Sequence, residues 1–234
     1  MYGNYSGFYF DWTYILVLIG MVLCLLASAR VKLTFNRYAK VPSMSRMTGA
    51  QVAERILREN GITDVAVVRT SGNLTDHYNP RTNTVNLSDS TYGSTSVAAI
   101  AVAAHECGHV CQHYEKYAPI EMRTALVPVA NIGSNLGIPM IIIGLVMGSF
   151  QPLIWIGIIM FSAGVLFQIV TLPVEFNASD RALRMLTGYG ILGADEERDA
   201  GKVLRAAALT YVAAAASSVL QLIRLILLSK RRND

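Results

Sequence analysis

The apolar residues of this chain are concentrated in long runs that contain no charged side chain. No Asp, Glu, Lys or Arg occurs between Arg123 and Glu175, and shorter uncharged runs cover residues 12–29 and 206–223. About 20 consecutive apolar residues in a helix span a bilayer. The longest run therefore predicts two membrane helices, because a soluble core rarely extends so far without a charge.

Basic residues indicate how these helices are oriented. Residues 12–30 are predicted as the first membrane helix, and the basic residues follow it: Arg30, Lys32, Arg37 and Lys40. Because positive residues accumulate on the cytoplasmic side, its N-terminus is expected outside. Residues 1–11 lack the basic segment of a cleavable signal peptide. An uncharged turn at residues 148–152 divides residues 124–174 into a hairpin whose two ends return to the cytoplasmic side.

The last apolar segment, residues 206–229, leaves two arrangements open. If it crosses the membrane outward, its basic tail of Lys230, Arg231 and Arg232 lies outside, against the positive-inside bias. If it lies along the membrane or packs on the cytoplasmic region, the tail stays inside. We favour the span, in which Arg224 extends its guanidinium to the membrane interface.

The remaining segments predict a small cytoplasmic α+β region, formed by residues 31–123 and joined by residues 175–205. Thr48 is a typical N-cap for a helix that ends at Gly61. Alternating residues and turn signals then predict three short strands, which would form an antiparallel sheet: residues 65–70, 74–78 and 84–88. The expected fold is a mainly α membrane protein with three to four transmembrane helices.

Composition agrees with a multi-pass protein of the plasma membrane in contact with lipid. The chain is 53% apolar and only 15% charged, whereas soluble domains carry about 25% charged residues. The net charge of +4 is not clustered with aromatic residues, so no nucleic-acid partner is indicated. A transporter or channel is not favoured, because its spans would carry functional ionisable residues.

The chemistry of the chain is concentrated in the sequence from His105 to His109, an HExxH motif in an Ala-rich helix predicted from residue 97 to about residue 115. Residues four apart lie on one face of a helix, so both imidazoles can bind one Zn²⁺. Glu106 can then take the proton of a metal-activated water. The motif therefore predicts a hydrolytic zinc site with Glu106 as the base.

A third protein ligand is needed, and two residues are candidates. His113 lies a further turn along the same helix, about 6 Å away, and one straight helix cannot easily place three such residues around one ion. Glu175 is favoured, because it lies where the membrane hairpin returns to the side of His105 and His109. A carboxylate from a second helix would complete a site of two histidines and one glutamate.

Four separated blocks resemble the YugP-type membrane zinc metallopeptidases of bacteria. They are residues 101–113 (AVAAHECGHVCQH), 117–119 (YAP), 126–135 (LVPVANIGSN) and 172–179 (LPVEFNAS). The resemblance implies that His105, His109 and Glu175 bind zinc and that Glu106 is the base. The family is similar in its site to the larger group of membrane gluzincins, in which an Asp four residues after the Glu supports a zinc histidine. Here that position is Ser179, and Asp180 follows it as a candidate for the same role.

The sequence thus predicts a membrane-bound endopeptidase that uses one Zn²⁺ to hydrolyse polypeptides, including membrane proteins, at a cytoplasm-facing site. The alternative is a membrane scaffold or adaptor that keeps zinc for stability alone, although such a site has no need of Glu106. Arg181 and Arg184 are candidates for stabilising an oxyanion. The strand at residues 84–88, if it is a sheet edge, could pair with an extended substrate. The sequence leaves the oligomeric state undetermined.

Overall fold

Four long helices dominate the fold and have the length and apolar composition to cross a bilayer. The computed structural model describes residues 11–148 and 150–231. In chain order its elements are α1 (Tyr14–Tyr38), α2 (Gly49–Glu59), β1 (Ala66–Thr70), β2 (His77–Asn79), β3 (Thr84–Ser88), α3 (Asp89–Tyr92), α4 (Val97–Tyr114), α5 (Ala118–Val146), α6 (Gln151–Gly188) and α7 (Ala194–Arg231). Ser149, Arg232 and all but the last residue of the predicted non-signal segment 1–11 lie outside the described residues.

The candidate membrane helices are α1, α5, α6 and α7. Helices α6 and α7 contain 38 residues each and are about 57 Å long at 1.5 Å per residue. The hydrocarbon core of a bilayer is only about 30 Å thick, so each helix is long enough to continue well beyond it. Helix α6 has no break at Glu175, and this residue therefore lies on the same continuous helix as the apolar segment.

Glycines let α5 and α6 approach each other closely along their apolar segments. A Cβ added at Gly133 would lie 2.1 Å from the carbonyl oxygen of Met160, and one at Gly157 would lie 2.7 Å from that of Gly137. Small residues at helix interfaces are a common means of packing within membranes. The two helices consequently form a tight hairpin.

Helix α7 lies along α1 in the opposite direction. Gly20 faces Ser217, and the guanidinium of Arg224 lies 4.2 Å from the centre of the Tyr14 ring. At the same end, Ser229 Oγ and Gln151 Oε1 are 3.3 Å apart, which links α7 to the start of α6. The beginnings of α1 and α6 and the end of α7 therefore share one end of the helix bundle.

The opposite end of the bundle carries a small mixed sheet in the order β1-β3-β2. Strand β3 pairs antiparallel with β2 and parallel with β1. The antiparallel prediction is therefore correct for one pair and wrong for the other. The segment between β1 and β2 makes no tight hairpin, because Asp89 accepts the N–H of Gly72 and Asp76 accepts the N–H of Ser88. These bonds carry the chain past the end of β3, which is the central strand. The condition for substrate pairing at residues 84–88, that this strand is a sheet edge, is therefore not met.

Helix α4 is the buried centre of this end. The side chain of Ser96 accepts the N–H of Ala99 and begins the helix. The first turns of α4 are almost entirely alanine and valine and are inaccessible to solvent. Their small side chains allow α2, α6, α7 and the sheet to pack against one helix. The HExxH sequence lies in the second half of this helix.

Candidate metal centre

The side chains of His105, His109 and Glu175 converge from α4 and α6. The Oε2 atom of Glu175 lies 3.3 Å from His105 Nε2 and 3.5 Å from His109 Nε2. One ligand atom from each residue lies within 4.8 Å of the other two. Glu175 is buried, and the two imidazoles retain only a small exposed fraction at the wall of a cleft.

Gly108 explains why the two helices come close enough for this convergence. A Cβ at this position would lie 2.6 Å from the carbonyl oxygen of Ala178 on α6. That distance is too short for any other residue, so glycine alone allows the backbones to approach. Ala178 lies three residues after Glu175, which places the carboxylate opposite the two histidines.

The Nδ1 atom of each histidine has a partner that orients its ring. Ser179 Oγ lies 3.2 Å from His105 Nδ1, and Gln112 Oε1 lies 3.0 Å from His109 Nδ1. Gln112 is fully buried and donates to the carbonyl oxygen of Val174 at 2.8 Å. Both Nε2 atoms therefore face Glu175, an orientation that suits metal binding because hydrogen-bonded partners fix metal-binding imidazoles. This donor set fits a divalent ion such as zinc.

Asp180, the candidate for supporting a histidine, does not reach His105. Its side chain is largely exposed and pairs with Arg184 at 2.9 Å. Ser179 makes the contact with His105 instead, since it lies on the face of α6 that carries Glu175. A hydroxyl thus contacts His105, whereas the carboxylate that the sequence offered for this role does not.

We expect Ser179→Ala to weaken zinc binding by about 10-fold, because hydrogen-bonded partners of metal ligands contribute 10–100-fold to affinity. Asp180→Asn is the matched control on the next residue and should leave the affinity unchanged. Competition with a chromophoric zinc chelator measures both variants. Equal affinities for the two variants would show that the Ser179 contact has no part in orienting His105.

The charges of the cluster favour a bound cation. Burial opposes protonation of His109, but the adjacent carboxylate of Glu175 outweighs it and raises the pKa of His109 above its ordinary value. Burial also raises the pKa of Cys111 to about 11 and that of Cys107 well above its usual range. Both thiols stay neutral and are poor ligands.

Glu106 lies beside the cluster and is held by the edge strand of the sheet. Its Oε2 atom accepts the backbone N–H of Tyr78 at 2.9 Å. His113 is exposed, and its Nδ1 atom lies 3.3 Å from the hydroxyl oxygen of Tyr78. His113 is not part of the group formed by His105, His109 and Glu175. Strand β2 therefore links Glu106 and His113 along one side of the cleft.

The cleft has a volume of about 180 Å³ and is lined by residues of β2, α4, α5, α6 and α7. Two of them, Arg123 and Tyr211, were not singled out as site residues from the sequence. The buried Nε atom of Arg123 has no hydrogen-bond partner among the described residues. Arg123 is the last charge before the long apolar run, and Tyr211 interrupts an Ala-rich segment, so both carried a weak signal.

Arg181 and Arg184 lie outside the cleft lining. Arg181 donates to Glu115 and Asn177, each at 2.7 Å, and Arg184 pairs with Asp180. These contacts engage both guanidinium groups outside the cleft. The hypothesis that either one stabilises an oxyanion therefore loses its support.

The fold and the cluster define a helical membrane protein with a group of two histidines and one glutamate that could hold a metal ion. Residues 13–230 match the family described as "putative neutral zinc metallopeptidase". The chain is 45% identical over 219 residues to the "putative membrane protease YugP" of Bacillus subtilis (strain 168), covering 94% of this chain and 97% of that protein. No solved structure matches this chain. The chain belongs to this zinc metallopeptidase family, and the resemblance noted from its sequence is confirmed.

Proposed function

We propose that this protein is a zinc-dependent endopeptidase of the plasma membrane that cleaves polypeptides at a cytoplasm-facing site. The observation that carries the proposal is the convergence of His105, His109 and Glu175 beside Glu106 at the wall of a cleft. Two imidazoles and a carboxylate are one ligand set of catalytic zinc, which keeps a position open for water or substrate. The printed name of the Bacillus subtilis relative, a membrane protease, supports the same activity.

The residues of the site divide the reaction between them. His105, His109 and Glu175 would hold one Zn²⁺, which when bound supplies an acidified water and polarises the substrate carbonyl. Glu106 accepts the proton of the attacking water and returns it to the nitrogen of the departing amine. The N–H of Tyr78 holds the carboxylate of Glu106 in place for both transfers.

Two further residues are placed to stabilise charge on the carbonyl oxygen. Tyr211 interacts with Glu175 and faces the cleft from α7. Arg123 faces it from α5 and has a buried donor without a partner among the described residues. Negative charge that develops on the oxygen would be stabilised by these O–H and N–H donors, as in other acyl-transfer sites.

We expect Tyr211→Phe to lower kcat by about 10²-fold, the effect of removing one such donor, without changing the zinc content. The contact of the hydroxyl with the substrate becomes strong only as the carbonyl oxygen becomes negative, so KM should change little. Steady-state kinetics and metal analysis of the same preparation distinguish stabilisation of the carbonyl oxygen from a role in which Tyr211 only holds the carboxylate of Glu175 in place. A loss of zinc at unchanged kcat per bound zinc would assign Tyr211 to Glu175 instead.

The proposed topology places residues 31–123 and 175–205 in the cytoplasm and the three segments 12–30, 124–174 and 206–229 in the membrane. The support for this topology is the position of four basic residues at the same end of the bundle as His105, His109 and Glu175: Arg30, Lys32, Arg37 and Lys40. Positive residues accumulate on the cytoplasmic side. A site at this level suits substrates at the membrane surface, including segments of membrane proteins.

The test is hydrolysis of unfolded polypeptides by the purified full chain in detergent. We expect cleavage to be abolished by a zinc chelator and restored by one equivalent of zinc, because the water is activated only at the bound metal. Mass spectrometry of the products locates the cleaved bonds and distinguishes an endopeptidase from an exopeptidase. If the chain binds zinc tightly and cleaves none of the polypeptides, the alternative of a non-catalytic zinc scaffold would replace this proposal.

A further inference from the structure

A second and larger cavity lies between α1, α6 and α7, apart from the metal cleft. Its volume is about 570 Å³, and it shares no lining residue with the cleft. Basic and apolar side chains line it together, among them Arg30, Leu33, Arg37, Phe176, Lys202 and Arg205. We refer to this cavity as the basic groove.

The basic groove has an excess of positive charge. Among the described residues, Lys202 pairs with Asp199 at 2.8 Å, whereas Arg30, Arg37 and Arg205 form no salt bridge. The buried ring of Tyr38 forms part of the lining, and the guanidinium of Arg37 and the ammonium of Lys202 lie 5.6 Å and 5.7 Å from its centre. Asp199 also interacts with Arg37, so the positive charge of the groove that lacks a salt-bridge partner among the described residues belongs above all to Arg30 and Arg205. An anion would be attracted to these two side chains.

Exposed apolar side chains continue the groove on its other side. Leu33 is 71% exposed, Phe176 49% and Leu209 38%. A small anion such as phosphate would contact the cations and leave these side chains in water. A ligand that joins an anionic group to hydrocarbon would cover both kinds of surface.

The position of the groove along the bundle matches a membrane interface. Arg30 lies 16 residues after Tyr14, about 24 Å along α1 at 1.5 Å per residue. A hydrocarbon core is about 30 Å thick, so helix α1 passes from its apolar segment into its basic segment at this level. Basic pockets between membrane helices on the cytoplasmic side are typical binding sites for anionic head groups.

We propose that the basic groove binds the phosphate-bearing head group of an anionic phospholipid. Arg30 and Arg205, which have no carboxylate partner among the described residues, contact the phosphate. The acyl chains lie against Leu33, Phe176 and Leu209. The groove thus fixes how deeply the helix bundle lies in the membrane, at the level of the lipid phosphates. This role is independent of whether the metal site is catalytic.

The test uses the full-length protein in detergent and native mass spectrometry with added phosphatidylglycerol or phosphatidylcholine. We expect the protein to retain phosphatidylglycerol preferentially and Arg30→Gln/Arg205→Gln to bind it roughly 30-fold more weakly, from the contribution of each basic residue near anionic lipid. Arg30→Lys/Arg205→Lys should keep most of the preference. Zinc content, measured in parallel, should be unchanged and shows that the variants fold.

The matched control is Lys32→Gln/Lys40→Gln, which removes the same charge at the same end of α1 outside the groove lining. This variant should keep the preference for phosphatidylglycerol. Equal weakening by both pairs would overturn the proposal in favour of a diffuse charge effect. Displacement of the lipid by millimolar inorganic phosphate would also overturn it, because the groove would then recognise the free anion.

Discussion

Glu106→Gln is expected to lower the rate of peptide hydrolysis by about 10²–10⁴-fold, the contribution of general acid–base catalysis. The amide cannot accept the proton of the attacking water. Its oxygen can still accept the N–H of Tyr78, so the edge strand should stay in place. Cleavage rates per bound zinc, measured on the purified variant, give the effect.

The control for this variant is Glu54→Gln, which removes an exposed carboxylate from α2 without touching the cleft. Its rate should match that of the unsubstituted protein. Zinc analysis should find equal metal in both variants, because Glu106 is not part of the cluster of His105, His109 and Glu175. Unchanged cleavage by Glu106→Gln would remove this residue from the mechanism and would require another base in the cleft.

The sequence predicts that His105, His109 and Glu175 lie together, because one local rule and one topological rule place these residues. His105 and His109 are related by one helical turn, and that relation survives in any fold that keeps the helix. Glu175 could be predicted because the hairpin between Arg123 and Glu175 has an even number of spans and must return to the same side. The convergence then follows from the topology and needs no knowledge of side-chain packing.

The sheet could not be predicted to the same depth. Strand β3 has the predicted bounds and β1 begins one residue later than predicted, but β2 covers His77–Asn79 and not residues 74–78. The pairing of the strands also depends on what the connecting loops contact. The carboxylates of Asp76 and Asp89 receive N–H groups from Ser88 and Gly72, which are distant in the chain. No periodic pattern encodes such contacts. They decide that β3 is central and that β2 is the edge beside Glu106.

The partners of the histidines were missed for a different reason. Gln112 is polar within an apolar helix, and its place three residues after His109 was a signal that could have been used. Ser179 and Asp180 are adjacent, and their roles depend on the rotation of α6 about its axis. A shift of one residue turns a helical side chain by about 100°. Tertiary contacts fix that rotation, above all the close approach of Gly108 to Ala178 and the hydrogen bond from Gln112 to Val174.

The close approach of Gly108 to Ala178 also predicts the effect of Gly108→Ala. The added methyl group would lie 2.6 Å from the carbonyl oxygen of Ala178 and 3.2 Å from its carbonyl carbon. These are backbone atoms, so no rotation of a side chain can relieve the overlap. Helix α6 must move away from α4, and such overpacking costs about 1–3 kcal/mol of stability. Because Glu175 is within one turn of Ala178, the same movement separates it from both histidines.

We therefore expect Gly108→Ala to weaken zinc binding by at least 100-fold, which exceeds the effect of losing a residue that only hydrogen-bonds to a metal ligand. Cleavage at limiting zinc should be abolished. Gly188→Ala is the matched control on α6, since its added Cβ meets no atom within 4 Å. Chelator competition measures the loss of zinc affinity, and thermal unfolding without zinc measures the loss of stability. Wild-type zinc affinity in Gly108→Ala, with or without a loss of stability, would show that the spacing of α4 and α6 does not set the ligand geometry.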